Sequence, residues 1–257
     1  MITLTTDFGY QDPYVAEIKG VILTNNPEAK VIDITHGVGK FDVRMGAFIL
    51  ASAAPYFPKG TIHMAIVDPG VGTKRRSIVV ETKEGFLVGP DNGILMFAGQ
   101  EQGIKHIYQI VNPQLMLSQV SCTFHGRDIF APVAAYLDKG VAPQEFGPEV
   151  TDPATPTYAK VKQLGKTLSG EVLHIDGFGN IITNINRKDV VSHRTLKIIF
   201  PKATLQTVFV KTYAEAKPKE PLALIGSHGF LEIALNQGNA AGKFCVKTGD
   251  SAEVEPV

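Results

Sequence analysis

Apolar positions in the first half of the chain alternate between two rhythms. Residues 2–6 form a short β-rich run that ends in Asp7-Phe8-Gly9. Val15, Ile18 and Ile22 then recur at i, i+3 and i+7, one face of a helix. Asp12-Pro13 in front of them reads as an N-cap followed by proline at the first helical position. A second strand is predicted over residues 30–34, running into Asp33-Ile34-Thr35-His36-Gly37. Asp42 is placed to cap a second helix with Val43, Ala47, Leu50 and Ala54 on one face, stopped near Pro55 and Pro58. Residues 61–67 give a third strand, ending in Asp68-Pro69-Gly70. Residues 77–82 and 86–88 read as a strand pair joined by Lys83-Glu84-Gly85, and 106–111 as a further strand. A helix starting near Asp128, its expected cap, carries Phe130, Val133, Ala134 and Leu137 on one face. Strands alternating with helices at this spacing predict βαβ units and a largely parallel sheet.

The pattern changes after Pro143. Gly147-Pro148, Pro153 and Pro156 make a Pro-rich stretch that reads as a linker. Beyond it, short strand-like runs cover 170–175, 180–185, 196–200, 205–210, 222–226, 230–235 and 243–247, with few helical patterns between them. The expected organisation is an α/β domain over 1–150, a linker over 151–160 and a smaller all-β domain, sandwich or barrel, over 161–257.

Composition narrows the classes of partner. In 257 residues Lys plus Arg and Asp plus Glu are 25 each, so the formal charge is zero. Such a chain has no electrostatic reason to seek nucleic acid or anionic lipid. The N-terminus lacks a basic segment and an apolar core, so it does not read as a signal peptide. The most apolar stretch, 47–54, is far too short to cross a membrane. Cys122 and Cys245 are distant and form no CxxC pair, which makes a reducing cytoplasm the default location.

Three expected strand ends carry an aspartate: Asp7, Asp33 and Asp68. In an open α/β sheet ligands bind outside the carboxyl ends of strands. Asp also opens turns and caps helices, so one alone says little. Glycines follow both Asp7 and Asp68 and let backbone approach a ligand closely. The densest motif runs Asp68-Pro69-Gly70-Val71-Gly72-Thr73-Lys74-Arg75-Arg76; adjacency alone does not say which arginine turns inward. Phe124-His125-Gly126-Arg127-Asp128 places a histidine at a loop-to-helix junction, where it serves structure or acts as acid, base or donor. In the β domain, Asp176-Gly177-Phe178-Gly179-Asn180 and the run from Ser227 through Glu232 are hairpins that also offer polar groups. Residues 236–242, including Gln237, form a polar loop suited to line a cleft. HExxH, GxSxG and GxGxxG are all absent, which argues against a zinc site, a hydrolase triad and a dinucleotide fold. No metal and no cofactor is expected.

Taken in order, Thr5-Thr6-Asp7-Phe8-Gly9, Asp68-Pro69-Gly70-Val71-Gly72, Pro90-Asp91-Asn92-Gly93, Phe124-His125-Gly126-Arg127-Asp128, Ile175-Asp176-Gly177-Phe178-Gly179-Asn180 and Leu231-Glu232-Ile233-Ala234 resemble the S-adenosylmethionine hydroxide adenosyltransferases, relatives of the fluorinase and chlorinase. The resemblance implies an N-terminal α/β domain, a C-terminal barrel-like domain and a homotrimer whose sites lie at subunit interfaces. It implies S-adenosylmethionine as substrate, not cofactor, with water attacking C5′ to give adenosine and methionine. Carried over by motif, Asp68, Arg75 and His125 would surround the attacking water, with Arg75 holding it. Asp7 would hold the ribose, and Asp176 and Ser227 the methionine end with Asp12 nearby. Phe178, Asn180 and Tyr213 would frame the adenine, and Glu232 and Gln237 join the substrate-binding residues. Asp68 and His125 stand where the fluorinase has tyrosines, and Phe41 and Ile182 where it packs tryptophans. Two alternatives remain at this point: a chloride-dependent, halogenase-like adenosyl transferase, and a non-catalytic S-adenosylmethionine- or adenosine-binding module.

Overall fold

The computed structural model describes residues 1–156, 160–190 and 195–257, so part of the expected linker, 157–159, lies outside the described residues. The chain divides into two compact units, Met1–Pro156 and Thr157–Val257.

The first unit holds a six-stranded sheet. Its strands are β1 (Ile2–Thr6), β2 (Val31–Thr35), β3 (Thr61–Ile66), β4 (Ser77–Thr82), β5 (Gly85–Pro90) and β6 (Ile104–Gln109), in the order β2-β1-β3-β5-β4-β6. β2, β1, β3 and β5 run parallel, and β4 runs antiparallel to both β5 and β6. Every residue of β1 and β3 is buried, as expected of strands covered on both faces. One face of these strands carries Ile2, Leu4, Ile62, Met64 and Ile66. It shares a core with Ile18 and Ile22 of α1 (Tyr14–Asn25) and Val133, Ala134 and Leu137 of α4 (Ala131–Asp138). By strand alternation Thr3 and His63 point the other way, where the Thr3 hydroxyl lies 2.8 Å from His63 Nδ1. α2 (Val43–Ala53) also packs on β1 and β3, and α3 (Met96–Gln102) packs on α2.

From β1 the chain moves first to β2 on one side and then, through α2, back across to β3 on the other. That reversal makes the ends of β1 and β3 the switch point of the sheet, where a crevice opens. Asp7 follows β1 directly and Asp68 follows β3 by two residues.

The second unit is a closed barrel. Strands β8 (Thr167–Ile175), β9 (Ile181–Asn186), β10 (Thr195–Phe200), β11 (Ala203–Phe209), β12 (Pro221–Ile225), β13 (Phe230–Leu235) and β14 (Ser251–Pro256) close in the order β14-β10-β11-β12-β13-β9-β8, and β8 pairs back with β14. β7 (Lys162–Leu164) adds to the outside of β8. Seven strands cannot alternate direction all the way round, so one pair must be parallel; it is β11–β12. Inward residues such as Val172, Ile185, Ile198, Phe200, Leu231, Ile233 and Val254 fill the barrel.

Three local expectations are corrected. The residue before α1 is Pro13, already near helical geometry, and no side chain caps the helix, so Asp12 is not its N-cap. Asp128 lies inside the π-turn Gly126–Phe130 that leads into α4, fully buried, and is not a cap. Its carboxylate instead accepts from Ser121 N at 2.8 Å and Arg127 Nε at 2.7 Å, tying the preceding loop to the turn. Residues 243–247 are not a strand: Asn239 accepts from Gly242 N and starts the short α5 (Ala240–Phe244), which ends at Cys245 in the left-handed region. The last strand is β14, and α3 was not foreseen.

Candidate active site

The crevice beyond β1 and β3 is a cleft of about 610 Å³. Asp7, Phe8, Tyr14, Glu17, Lys40, Phe41, Ile66, Asp68, Val71, Thr123, Phe124, His125 and Arg127 are among its lining residues. Asp7, 6% exposed, is held by the Phe41 backbone N–H, which donates to Oδ2 at 2.9 Å. Phe41 takes φ +64°, a left-handed conformation uncommon for a bulky residue, at the point where it clamps this carboxylate. Phe8, Tyr14 and Phe124 pack edge to face as one aromatic wall.

Asp68 and His125 meet through Arg75. The guanidinium donates to both Asp68 oxygens, Nε to Oδ1 at 2.9 Å and Nη2 to Oδ2 at 2.5 Å. Nη2 also reaches His125 Nδ1 at 2.8 Å, and Nη1 donates to Ser77 Oγ at 2.8 Å and to the Arg76 carbonyl at 3.2 Å. These five bonds use all five donors of the side chain. The group also lies over the Phe130 ring, 5.4 Å from its centroid. The resemblance implies that Arg75 holds a water, but its donors are all taken; it stands behind the cleft wall and fixes Asp68 and His125. Gly72 makes the approach possible, since a Cβ there, at φ +76°, would collide with the Cys122 carbonyl. Arg76 turns elsewhere, to Asp91 at 2.8 Å and Asp152 at 2.6 Å.

The state of His125 follows from its partners. Burial lowers its pKa, the Arg75 charge lowers it further, and Asp68 and Asp128 oppose the shift. The ring is thus neutral near pH 7. An arginine only donates, so Nδ1 is the acceptor and the proton resides on Nε2. What the pair leaves for a ligand is a carboxylate that accepts and an imidazole N–H that donates.

The barrel carries a second cleft of about 590 Å³, whose lining includes Asp176, Phe178, Asn180, Tyr213, Gln237 and Asn239. The Asp176 carboxylate accepts from Phe178 N, Asn180 N and Asn180 Nδ2, each at 2.9 Å, and so shapes the turn that presents Asn180. Phe178 is 81% exposed. Tyr213 donates its hydroxyl to Glu232 Oε1 at 2.5 Å; Glu232 is 3% exposed and stands behind the cleft rather than in its lining. Ser227 and Asp12 are exposed and lie outside the lining of both clefts. Sequence reasoning missed Ser77, Phe130 and the Phe41 N–H. Phe130 and the Phe41 N–H act on partners distant in the chain, and Ser77, only two residues from Arg75, is an ordinary first residue of a strand; none leaves a motif.

Among the described residues no group of three or more His, Cys, Asp or Glu is arranged to hold a metal ion, and no helix is long and apolar enough to cross a membrane. A protein from Methanocaldococcus jannaschii named (R)-S-adenosyl-L-methionine hydrolase is 40% identical, over 99% of this chain and 95% of that one. A fluorinase from Actinoplanes sp. is more distant, at 28% identity over 97% of this chain and 95% of that one. The crystal structure of an uncharacterized conserved protein from Thermotoga maritima matches with a TM-score of 0.91 and 38% identity, covering 99% of each chain. Residues 2–147 match the model of the SAM hydroxide adenosyltransferase N-terminal domain and residues 170–253 that of the C-terminal domain, so the chain belongs to the SAM hydroxide adenosyltransferase family.

Proposed function

We propose that this protein hydrolyses (R)-S-adenosyl-L-methionine to adenosine and L-methionine, by attack of water at C5′. The observation that carries the reading is the Asp68–Arg75–His125 assembly in a cleft at the switch point of the sheet. The curated relative's name supplies the substrate and its sulfonium configuration.

In the reaction a C5′–O bond forms and the C5′–S bond breaks with its electron pair on sulfur. The cationic sulfonium leaves as a neutral thioether, so no general acid is needed. Catalysis then rests on holding a water in line with C5′ and away from bulk solvent. Asp68 accepts a hydrogen bond, and the proton, from that water, and His125 Nε2–H orients its oxygen. Arg75 acts through both of them as a positioning residue. Water, with donors and acceptors, fits this pair. A chloride ion would face the Asp68 carboxylate, which disfavours the halogenase-like alternative. A binding module without turnover has no need of such a locked trio.

Asp7 is assigned to the ribose hydroxyls, since one oxygen is held by Phe41 N and Oδ1 remains to accept. The barrel cleft, with Phe178, Asn180, Tyr213 and Gln237, is assigned to the adenine and its surroundings. Asp176 contributes chiefly by shaping that cleft. The two clefts are taken as halves of a site completed between subunits of a homotrimer, and the exposed Phe178 ring supports such a covering contact. The two unpaired, exposed cysteines suit a cytoplasmic protein. No cofactor takes part.

Incubation with (R)-S-adenosyl-L-methionine, with and without chloride and chelator, tests the reading by chromatography. Adenosine is expected in every arm, with no 5′-chloroadenosine, and Asp68→Ala is expected to slow its release by about 10²–10⁴-fold. Chloride-dependent 5′-chloroadenosine, or full activity of Asp68→Ala, would overturn it.

A further inference from the structure

At the barrel cleft the partly exposed Tyr213 joins the buried Glu232 and the neighbouring His228 in a polar trio that the reaction as described does not use. Glu232, on β13, lies opposite Leu224 of β12 and Ile182 of β9 in the barrel wall. One oxygen accepts from Tyr213 Oη at 2.5 Å, and the other lies 3.3 Å from His228 Nε2. The Phe230 N–H donates to His228 Nδ1 at 3.2 Å, which makes Nδ1 the acceptor and leaves Nε2 protonated. His228 Nε2 therefore donates to the same carboxylate. Gly226 leaves the room, since a Cβ there would press on both His228 Nε2 and Glu232 Oε2.

Tyr213 is held at its other end as well. It begins the short turn Tyr213–Glu215, closed by a capping box between Thr212 and Glu215. The Glu215 carboxylate accepts from Lys211 N at 3.0 Å and Thr212 N at 3.1 Å. The residue is thus pinned at its backbone by the box and at its hydroxyl by Glu232, with its ring lining the cleft between those points. Burial, and then Glu232, raises the Tyr213 pKa, so the hydroxyl remains a donor.

We propose that Glu232, supported by His228, is a positioning residue that fixes the Tyr213 ring as a wall of the adenine half-site and does not itself touch the substrate. This rests on the assignment of the barrel cleft to the adenosyl group made above. Without Glu232 the ring must be ordered by the ligand and not by the protein. Ordering one side chain on binding weakens affinity by about two- to tenfold. Glutamine cannot replace the carboxylate. Its amide meets the His228 N–H donor to donor, or, turned round, leaves the tyrosine proton without an acceptor.

The test is a double-mutant cycle with Tyr213→Phe, Glu232→Gln and the pair. Adenosine affinity is read by calorimetry, and KM and kcat on (R)-S-adenosyl-L-methionine by adenosine release. Each single variant is expected to raise the adenosine Kd and the KM by about two- to tenfold. The double variant should bind no worse than the weaker single, with kcat falling by no more than about twofold throughout. Additive losses, or a fall in kcat with Kd unchanged, would mean that the carboxylate serves the fold alone. Should Glu232→Gln fail to fold, Tyr213→Phe still decides: an unchanged adenosine Kd sinks the proposal. Coupled losses in adenosine binding by a wild-type protein that releases no adenosine would keep this role and remove the hydrolase assignment. Wild-type protein that does not bind adenosine removes both.

Discussion

Replacing Arg75 by lysine keeps a positive charge beside Asp68 and removes the planar fork that joins Asp68 to His125. In the wild type that fork makes five bonds, two to Asp68 and one each to His125, Ser77 and the Arg76 carbonyl. An ammonium has three donors at one point and cannot span these groups. It can keep a contact with Asp68, while His125 Nδ1 and the Ser77 hydroxyl lose their donor. His125 then drifts, and a displacement near 1 Å in a reacting constellation costs about 10²-fold in rate. That corresponds to about 2.7 kcal/mol at about 1.36 kcal/mol per tenfold. Because Arg75 does not line the cleft, substrate binding is spared, and KM should stay within about threefold of wild type. The groups left without partners also destabilise the fold by about 1–3 kcal/mol, since the Arg75 and Asp68 side chains are only 9% and 7% exposed. Initial rates of adenosine release, paired with urea unfolding, measure both terms. A variant with more than half the wild-type kcat, or one whose entire loss appears in KM, would refute the positioning role.

Two pH dependences follow from His125 and His63. Burial and Arg75 hold the His125 pKa below 6.5, and the neutral ring is the working form, so kcat/KM should stay level as pH falls through 6.5 and decline only below it; an acid limb centred at or above 6.5, by rate or by histidine NMR, contradicts this. His63 is buried on β3 and its pKa is lowered to about 4 from 6.5, so the folded state binds fewer protons and stability present above 6.5 is lost as pH falls toward 4. By linkage the loss at pH 5 is about 2 kcal/mol, and urea titrations of wild type against His63→Gln should show this slope only in the wild type.

Much of this architecture was legible because the signals were local. An aspartate and glycine after each of two apolar runs marked the strand ends, and Asp42 does cap α2, accepting from Met45 N at 2.9 Å. The failures have physical causes. α3 is buried along Met96, Phe97, Ala98 and Gly99 and shows no amphipathic stripe to read. In Lys243-Phe244-Cys245-Val246-Lys247 three consecutive apolar residues rich in strand formers stand between two lysines, which reads as a short strand. The Asn239 cap and the left-handed Cys245 override it. Adjacency alone does not separate Arg75 from Arg76; the family resemblance names Arg75 by its spacing from Asp68. In the structure the distant partners His125 and Asp152 separate them.

The two clefts share one design. Groups that line each cleft are held by partners: Asp68 and His125 by Arg75 and Tyr213 by Glu232, neither of which is in the lining, and Asp7 by the backbone N–H of Phe41. Orientation is thereby fixed when the chain folds and costs nothing when substrate arrives. That arrangement suits a reaction whose leaving group departs without help, since little remains for the protein to do except hold water, sugar and base in line. It also places the sensitive residues one layer back. Substitutions there should change rate or affinity without altering any surface the substrate touches. Which quantity changes then identifies the cleft a hidden residue serves: kcat behind the Asp68 cleft, Kd behind the Tyr213 cleft.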